Sequence, residues 1–192
     1  MGGSYFGDAG IFLIETVIGL YLLVVILRFL FQLLRADFYN PISQFVVNIT
    51  NPPLRFLRRF VPGMWGIDLS SVVLAFCIAL IKIYLIAAIS GISLPISAGI
   101  LITIAELLKT TVYIFMFVTI ARAILSWFAQ SHYHPLNRLL YSLSEPLLGP
   151  IRRILPPIGG LDLTPLALII LLTLVLKLIV RPIVESGIRI PM

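Results

Sequence analysis

The sequence predicts an all-α polytopic membrane protein of two parallel tandem repeats, each a transmembrane helix, an amphipathic interfacial helix and a second transmembrane helix. Three observations predict it. Apolar residues make up 60% of the 192 residues and charged residues 11%, with a mean hydropathy of +1.10. A soluble domain runs near about 45–50% and about 25%, so lipid must cover the apolar surface that one soluble core could not bury. The apolar residues are gathered into four long runs, and non-apolar landmarks recur at a constant spacing of 94 residues.

The first run covers 11–34 and is broken only by Glu15, Arg28 and Gln32. No basic residue precedes it within the first ten positions, so it is expected to stay as a membrane anchor rather than be removed as a signal peptide. The second run, 69–90, carries Lys82 alone, and the fourth, 163–180, carries Lys177. The third, 96–129, contains Glu106, Lys109 and Arg122. It is too long for one upright crossing of about 20 residues.

The repeat resolves how to divide it. Arg28 matches Arg122, Tyr39 matches Tyr133, Pro41 matches Pro135 and Pro52 matches Pro146. Arg58-Arg59 match Arg152-Arg153, Pro62 matches Pro156, Gly66 matches Gly160 and Asp68 matches Asp162, all without a gap. Chance agreement between apolar segments would share Leu and Ile, not Arg, Pro, Gly and Asp. The counterpart of the first helix then falls at 104–128. The first repeat spans 11–90, residues 91–103 connect, and the second repeat spans 104–186. Two crossings per repeat make the repeats parallel, with both long loops, 35–68 and 129–162, on one side.

Those loops carry helical patterns of their own. Ile42, Phe45, Val46 and Ile49, then Leu54, Leu57, Phe60 and Val61, form an apolar stripe opposite Ser43, Gln44, Asn48, Arg55, Arg58 and Arg59. Leu136, Leu139, Leu140, Leu143, Leu147, Ile151 and Ile154 repeat the stripe. Such helices lie in the plane of a membrane interface. Pro52 and Pro146 are expected to break or kink them midway. Asp68 and Asp162 then open the following spans as helix caps, a simpler role for them than catalytic acids.

Net charge is +6 and clusters in Arg55–Arg59 and Arg138–Arg153. That placement suits anionic headgroups and cytoplasmic loops rather than nucleic acid, which needs a soluble basic face. On the opposite side, residues 1–10 carry only Asp8, residues 91–103 carry no charge, and the tail offers Arg181 and Arg189. The positive-inside rule therefore places the loops in the cytoplasm and both termini outside. Cys77, the sole cysteine, permits no intramolecular disulfide.

Specific motifs bear a resemblance to a known family. Ala121-Arg122-Ala123-Ile124-Leu125-Ser126-Trp127-Phe128 is followed by Pro135, by Glu145-Pro146-Leu147-Leu148-Gly149-Pro150-Ile151-Arg152-Arg153-Ile154-Leu155-Pro156 and by Gly159-Gly160-Leu161-Asp162-Leu163-Thr164-Pro165. The first repeat is a looser version, with Leu33 in place of the tryptophan and Asn51 in place of the glutamate. Together these resemble the YggT family of small bacterial membrane proteins, over about residues 20 to 180. The resemblance implies no defined reaction. It implies a role in osmotic-stress tolerance or ion homeostasis, in cell-division or envelope organisation, or, among plastid relatives, in assembly of membrane cofactor proteins.

Charges within the spans are where function concentrates in membrane proteins. At about 1.5 Å per residue, Glu15 lies roughly 20 Å outward of Arg28, and Lys82 roughly 21 Å outward of Asp68. Two ionic layers are expected: Arg28/Asp68 with Arg122/Asp162 at the loop side, and Glu15/Lys82 with Glu106/Lys109/Lys177 on the other. The plainest role for such pairs is to hold helices together; lining an ion or solute path is the sharper one, and lone lysines can also snorkel. Arg58, Arg59, Arg152 and Arg153 suit anionic lipid first and an acidic protein partner second. Trp127 and Tyr133 read as interfacial aromatics. His132 and His134 lack the further ligands a metal site needs. No nucleotide-binding, zinc-protease or hydrolase motif is present, so neither an enzyme nor a bound cofactor is expected. The oligomeric state has no sequence signature. A scaffold that recruits partners through the arginine loops and a small ion channel are the rival readings.

Overall fold

The computed structural model describes residues 3–61, 63, 67–128, 134–156 and 162–188. The described residues form six helices: α1 (Gly3–Leu33), α2 (Pro41–Leu57), α3 (Leu69–Ile89), α4 (Ile96–Phe128), α5 (Pro135–Ile154) and α6 (Thr164–Ile188). Helices α1, α3, α4 and α6 are long and apolar enough to cross a membrane. Only 17–22% of the residues in their most apolar windows are buried within the protein, so most of that surface is left for lipid, as in a multi-pass membrane protein. Of the repeat landmarks, Pro62, Gly66, Tyr133 and Gly160 lie outside the described residues, as does His132.

Local chemistry accounts for the helix ends. Asn40 and His134 occupy equivalent repeat positions and cap α2 and α5 by accepting the amides of Ile42 (3.0 Å) and Leu136 (3.3 Å). Pro41 and Pro135 follow as first helical residues, where a missing N–H costs nothing. Pro52, by contrast, does not break its helix, and neither does Pro146. Helix α2 runs through Pro52 and Pro53, and α5 through Pro146 and Pro150. The carbonyls that Pro52 and Pro53 leave without donors belong to Asn48 and Ile49, both exposed, where water or headgroups can replace the lost bond. At the far side of the molecule α4 begins at Ile96 and absorbs most of the expected connector; Gly91, at φ 67°, makes the turn. Within α6 the segment Leu176–Val180 is a π turn. It ends two residues before Pro182, which removes the amide that would bond Leu178, so the extra residue per turn relieves that clash.

Packing joins α1 to α3, α3 to α4, α4 to α6, and lays α2 and α5 across the loop end. The main core brings Leu22, Val25, Ile26 and Leu30 of α1 against Ala75 and Ala79 of α3, whose small side chains allow close approach. Ile114 and Val118 of α4 and Leu139, Leu140 and Leu143 of α5 complete it. A smaller core of Val112, Leu148, Leu168 and Leu172 holds the second repeat. The loops meet through Asn40 Nδ2, which donates to the Pro135 carbonyl (2.7 Å), and an Asp37–Arg138 ion pair (3.1 Å). At the opposite end Gly10 lies beside Ile89 and Gly187 against Ala98 and Ile102. The two repeats therefore run in parallel, with both loops on one face.

Candidate functional site: arginine staples and a charged cluster between the repeats

Each repeat builds the same staple at the loop end. Arg28 leaves the last turns of α1 and is buried against α2; its Nη1 donates to the Val47 carbonyl (3.0 Å) and to Thr50 Oγ1 (2.8 Å). Thr50 passes its own hydrogen to the Val46 carbonyl one turn back (2.7 Å). In the second repeat Arg122 donates to Ser144 Oγ (2.7 Å), and Ser144 bonds back to Leu140 (2.6 Å). Thr50 and Ser144 are repeat counterparts. Arg122 also pairs with Glu145 (2.8 Å) and lies 4.6 Å from the Tyr141 ring centroid, a cation–π contact. At the equivalent positions the first repeat has Asn51 and Val47, so Arg28 has no carboxylate partner among the described residues.

A second arginine clamps the start of the following span. Arg58 pairs with Asp68 at 2.6 Å, and Ser71 Oγ donates to the same carboxylate oxygen (2.9 Å). Burial pushes the Asp68 carboxyl up, but hydrogen bonds from Arg58 and Ser71, with the charges of Arg58 and Arg28, outweigh it and leave the group below its ordinary range. Arg152 bridges Glu145 (3.0 Å) and Asp162 (3.2 Å), and Asp162, one residue ahead of the N-cap position Leu163, accepts the first amide of α6, that of Thr164 (3.0 Å), and its hydroxyl. Burial raises the Asp162 carboxyl, but the Thr164 bonds and Arg152 together outweigh it, so it too sits below its ordinary value. Asp68 makes no such capping bond to the backbone of α3.

The expected layers thus form with different partners. Asp68 meets Arg58 rather than Arg28, and Asp162 meets Arg152 rather than Arg122. In the outer layer Lys82, buried on α3, pairs with Glu106 of α4, which Lys109 also engages at 2.7 Å. This Lys82–Glu106–Lys109 cluster crosses from one repeat to the other. Glu15 and Lys177 are exposed and, among the described residues, make no ion pair; Glu15 is the repeat counterpart of Lys109. Arg59 and Arg153 are likewise exposed without an ion pair among the described residues. Thr50, Ser144, the pairing of Glu145 with Arg122 and the Asp37–Arg138 link escaped sequence reasoning, although the hydroxyls at 50 and 144 share the repeat spacing and could have been found by it.

Fold and site together define a polytopic α-helical membrane protein made of two tandem copies of one arginine-stapled unit. The CCB3/YggT family model matches residues 8–89 and 101–183, and the chain belongs to that family. It is 43% identical over 175 residues to the uncharacterized protein PA0392 of Pseudomonas aeruginosa, covering 90% of this chain and 89% of that one. It is 44% identical to an uncharacterized protein of Vibrio alginolyticus from the proC 3′ region (83% and 86% covered), and 43% identical to the uncharacterized protein YggT of Escherichia coli K12 (84% of each). No solved structure matches the chain.

Proposed function

We propose that the chain is a non-enzymatic protein of the bacterial inner membrane that supports osmotic-stress tolerance or ion homeostasis, potassium above all. In this reading the arginine-bearing helices α2 and α5 face the cytoplasm and both termini face the periplasm, as the distribution of basic residues favours. The Lys82–Glu106–Lys109 cluster carries the proposal. Ionised groups are costly and rare inside a membrane, and where they occur they line ion paths and relays as well as pairing helices. Here two cations share one carboxylate where the repeats meet, so a change in local ion occupancy or field acts directly on the joint between them.

The test is complementation of a bacterium whose own copy is deleted. The wild-type gene should restore growth after hyperosmotic shift or at limiting potassium, and a Glu106→Gln variant inserted at the same level should not. A deletion strain that grows like its parent under both stresses would overturn the reading.

A scaffold role is the second reading, favoured by one observation: Arg59 and Arg153 present free cationic heads on the loop face. Crosslinking in native membranes should then trap an acidic partner that Arg59→Ala/Arg153→Ala protein loses. Unchanged capture by that variant rejects the scaffold.

A further inference from the structure

Two cavities open at equivalent places in the two repeats, each between the loop end of a long helix and the amphipathic helix that follows. The first, about 390 Å³, is lined by Arg28, Phe31, Gln32, Arg35, Ser43 and Arg58 among others. The second, about 540 Å³, is lined by Arg122, Leu125, Ser126, Asn137, Arg138 and Tyr141 among others. Arg28, Phe31, Gln32 and Ser43 are the repeat counterparts of Arg122, Leu125, Ser126 and Asn137. The pockets are one feature, duplicated.

Their charge balance differs. In the second, Arg122 meets Glu145 and Arg138 meets Asp37. In the first, Arg28 is 7% exposed and has only neutral acceptors, both reached from Nη1, which leaves Nε and Nη2 uncommitted among the described residues. The charge of Asp68 acts on Arg28, but Arg58 and Ser71 already occupy that carboxylate. Of the three arginines lining the first pocket, Arg58 has a carboxylate partner and Arg28 and Arg35 have none among the described residues. Ser43, 3% exposed, also lines it, and its Oγ has no hydrogen-bond partner.

Arg35 adds a further sign. Helix α1 ends in a Schellman turn, with Ala36 N bonded to Phe31 O (2.8 Å) and Arg35 N to Gln32 O (3.2 Å). Arg35 occupies the left-handed position, φ 51°, where glycine is the unstrained choice. An arginine is held there at the mouth of the pocket despite its conformational cost.

We propose that the first-repeat pocket binds a phosphate oxyanion, presented by an anionic lipid headgroup or as free phosphate, through Arg28, Arg35 and Ser43. A planar guanidinium with spare donors matches phosphate oxygens in pairs, and a buried hydroxyl supplies one more donor. Only the headgroup source depends on the membrane placement above. Asn51 stands where the second repeat has Glu145, so the first pocket takes its anion from outside and the second carries its own.

The test uses full-length protein in detergent and in nanodiscs. Inorganic phosphate is titrated by calorimetry, and retained phosphatidylglycerol or phosphatidic acid is read by native mass spectrometry against zwitterionic lipid. Asn51→Glu places the second repeat's counter-ion beside Arg28 and should weaken binding by at least about tenfold, the scale of one charge-assisted contact. Ser43→Ala, a minimal change that keeps the fold, should weaken it by about threefold to tenfold. Glu145→Asn should create a second site. Saturable phosphate binding identifies a free anion, and lipid retention alone identifies a headgroup; either supports the proposal. Wild-type protein that retains neither, or binding that both Asn51→Glu and Ser43→Ala leave unchanged, overturns it.

Discussion

The two repeats share a skeleton but solve the same electrostatic problem differently. In the first, Arg28 is sealed under α2 with neutral acceptors, and Asp68 is 5% exposed beneath Arg58. In the second, Arg122 is partly exposed and surrounded by a carboxylate, a hydroxyl and a ring, while Asp162 is 40% exposed. The apolar cores follow suit, since the larger is centred on the first repeat and borrows α4 and α5. A duplicated unit can therefore keep its arginines, prolines and aspartates in register while the residues that satisfy them change. One repeat has buried its arginine under neutral acceptors, and the other has left its arginine more open and given it a carboxylate.

The largest expected effect concerns the joint between them. Glu106→Leu would strand Lys82, buried on α3, without a counter-ion, and should cost about 3–5 kcal/mol in thermal unfolding of the detergent-solubilised protein. The double variant Lys82→Met/Glu106→Leu should recover most of that loss. If the double variant is as unstable as the single one, the two repeats are not held together by this pair. The next effect separates the staples. Thr50→Val deprives Arg28 of one of two acceptors and should cost about 1.5–3 kcal/mol, the range for hydrogen bonds to charged groups. Ser144→Ala should cost about 1 kcal/mol, because Arg122 keeps Glu145 and Tyr141. Equal losses in the two variants would erase the difference between the repeats.

Much of this architecture was legible because bulk quantities determine it. Four apolar runs leave few alternatives to four membrane-crossing helices, and a gapless repeat with two crossings per copy forces the loops onto one face, where Asp37 meets Arg138. Partner choice was less legible. Depth counted along a helix placed Glu15 and Lys82 at one level, but depth leaves rotation about the helix axis open. Lys82 faces α4 and finds Glu106, while Glu15 faces outward. The break expected as one outcome at the prolines did not occur, for a related reason. Whether a lost N–H ends a helix depends on what else can reach the freed carbonyl, and on an interfacial helix water or headgroups can. The sequence pattern set Ser43 on the polar face of α2, but the structure buries it, and its unpartnered hydroxyl exists only once α2 has folded over α1.

The smallest effect is a pH dependence that should distinguish the two aspartates. Each carboxyl is held below its ordinary value in the folded protein, so each contributes stability that is complete above the unfolded carboxylate range and is lost as pH falls through the lower folded value. The loss should set in below about pH 4. Asp68, buried beside Arg58, should carry most of it, and Asp68→Asn should lower stability at neutral pH by about 1 kcal/mol and flatten the acid limb of the unfolding curve. Asp162 is more exposed and its pair with Arg152 is screened by solvent, so Asp162→Asn should cost about 0.5 kcal/mol and leave that limb nearly intact. An acid limb that vanishes with Asp162→Asn and survives Asp68→Asn would reverse the assignment, making the open repeat rather than the buried one the acid-sensitive half.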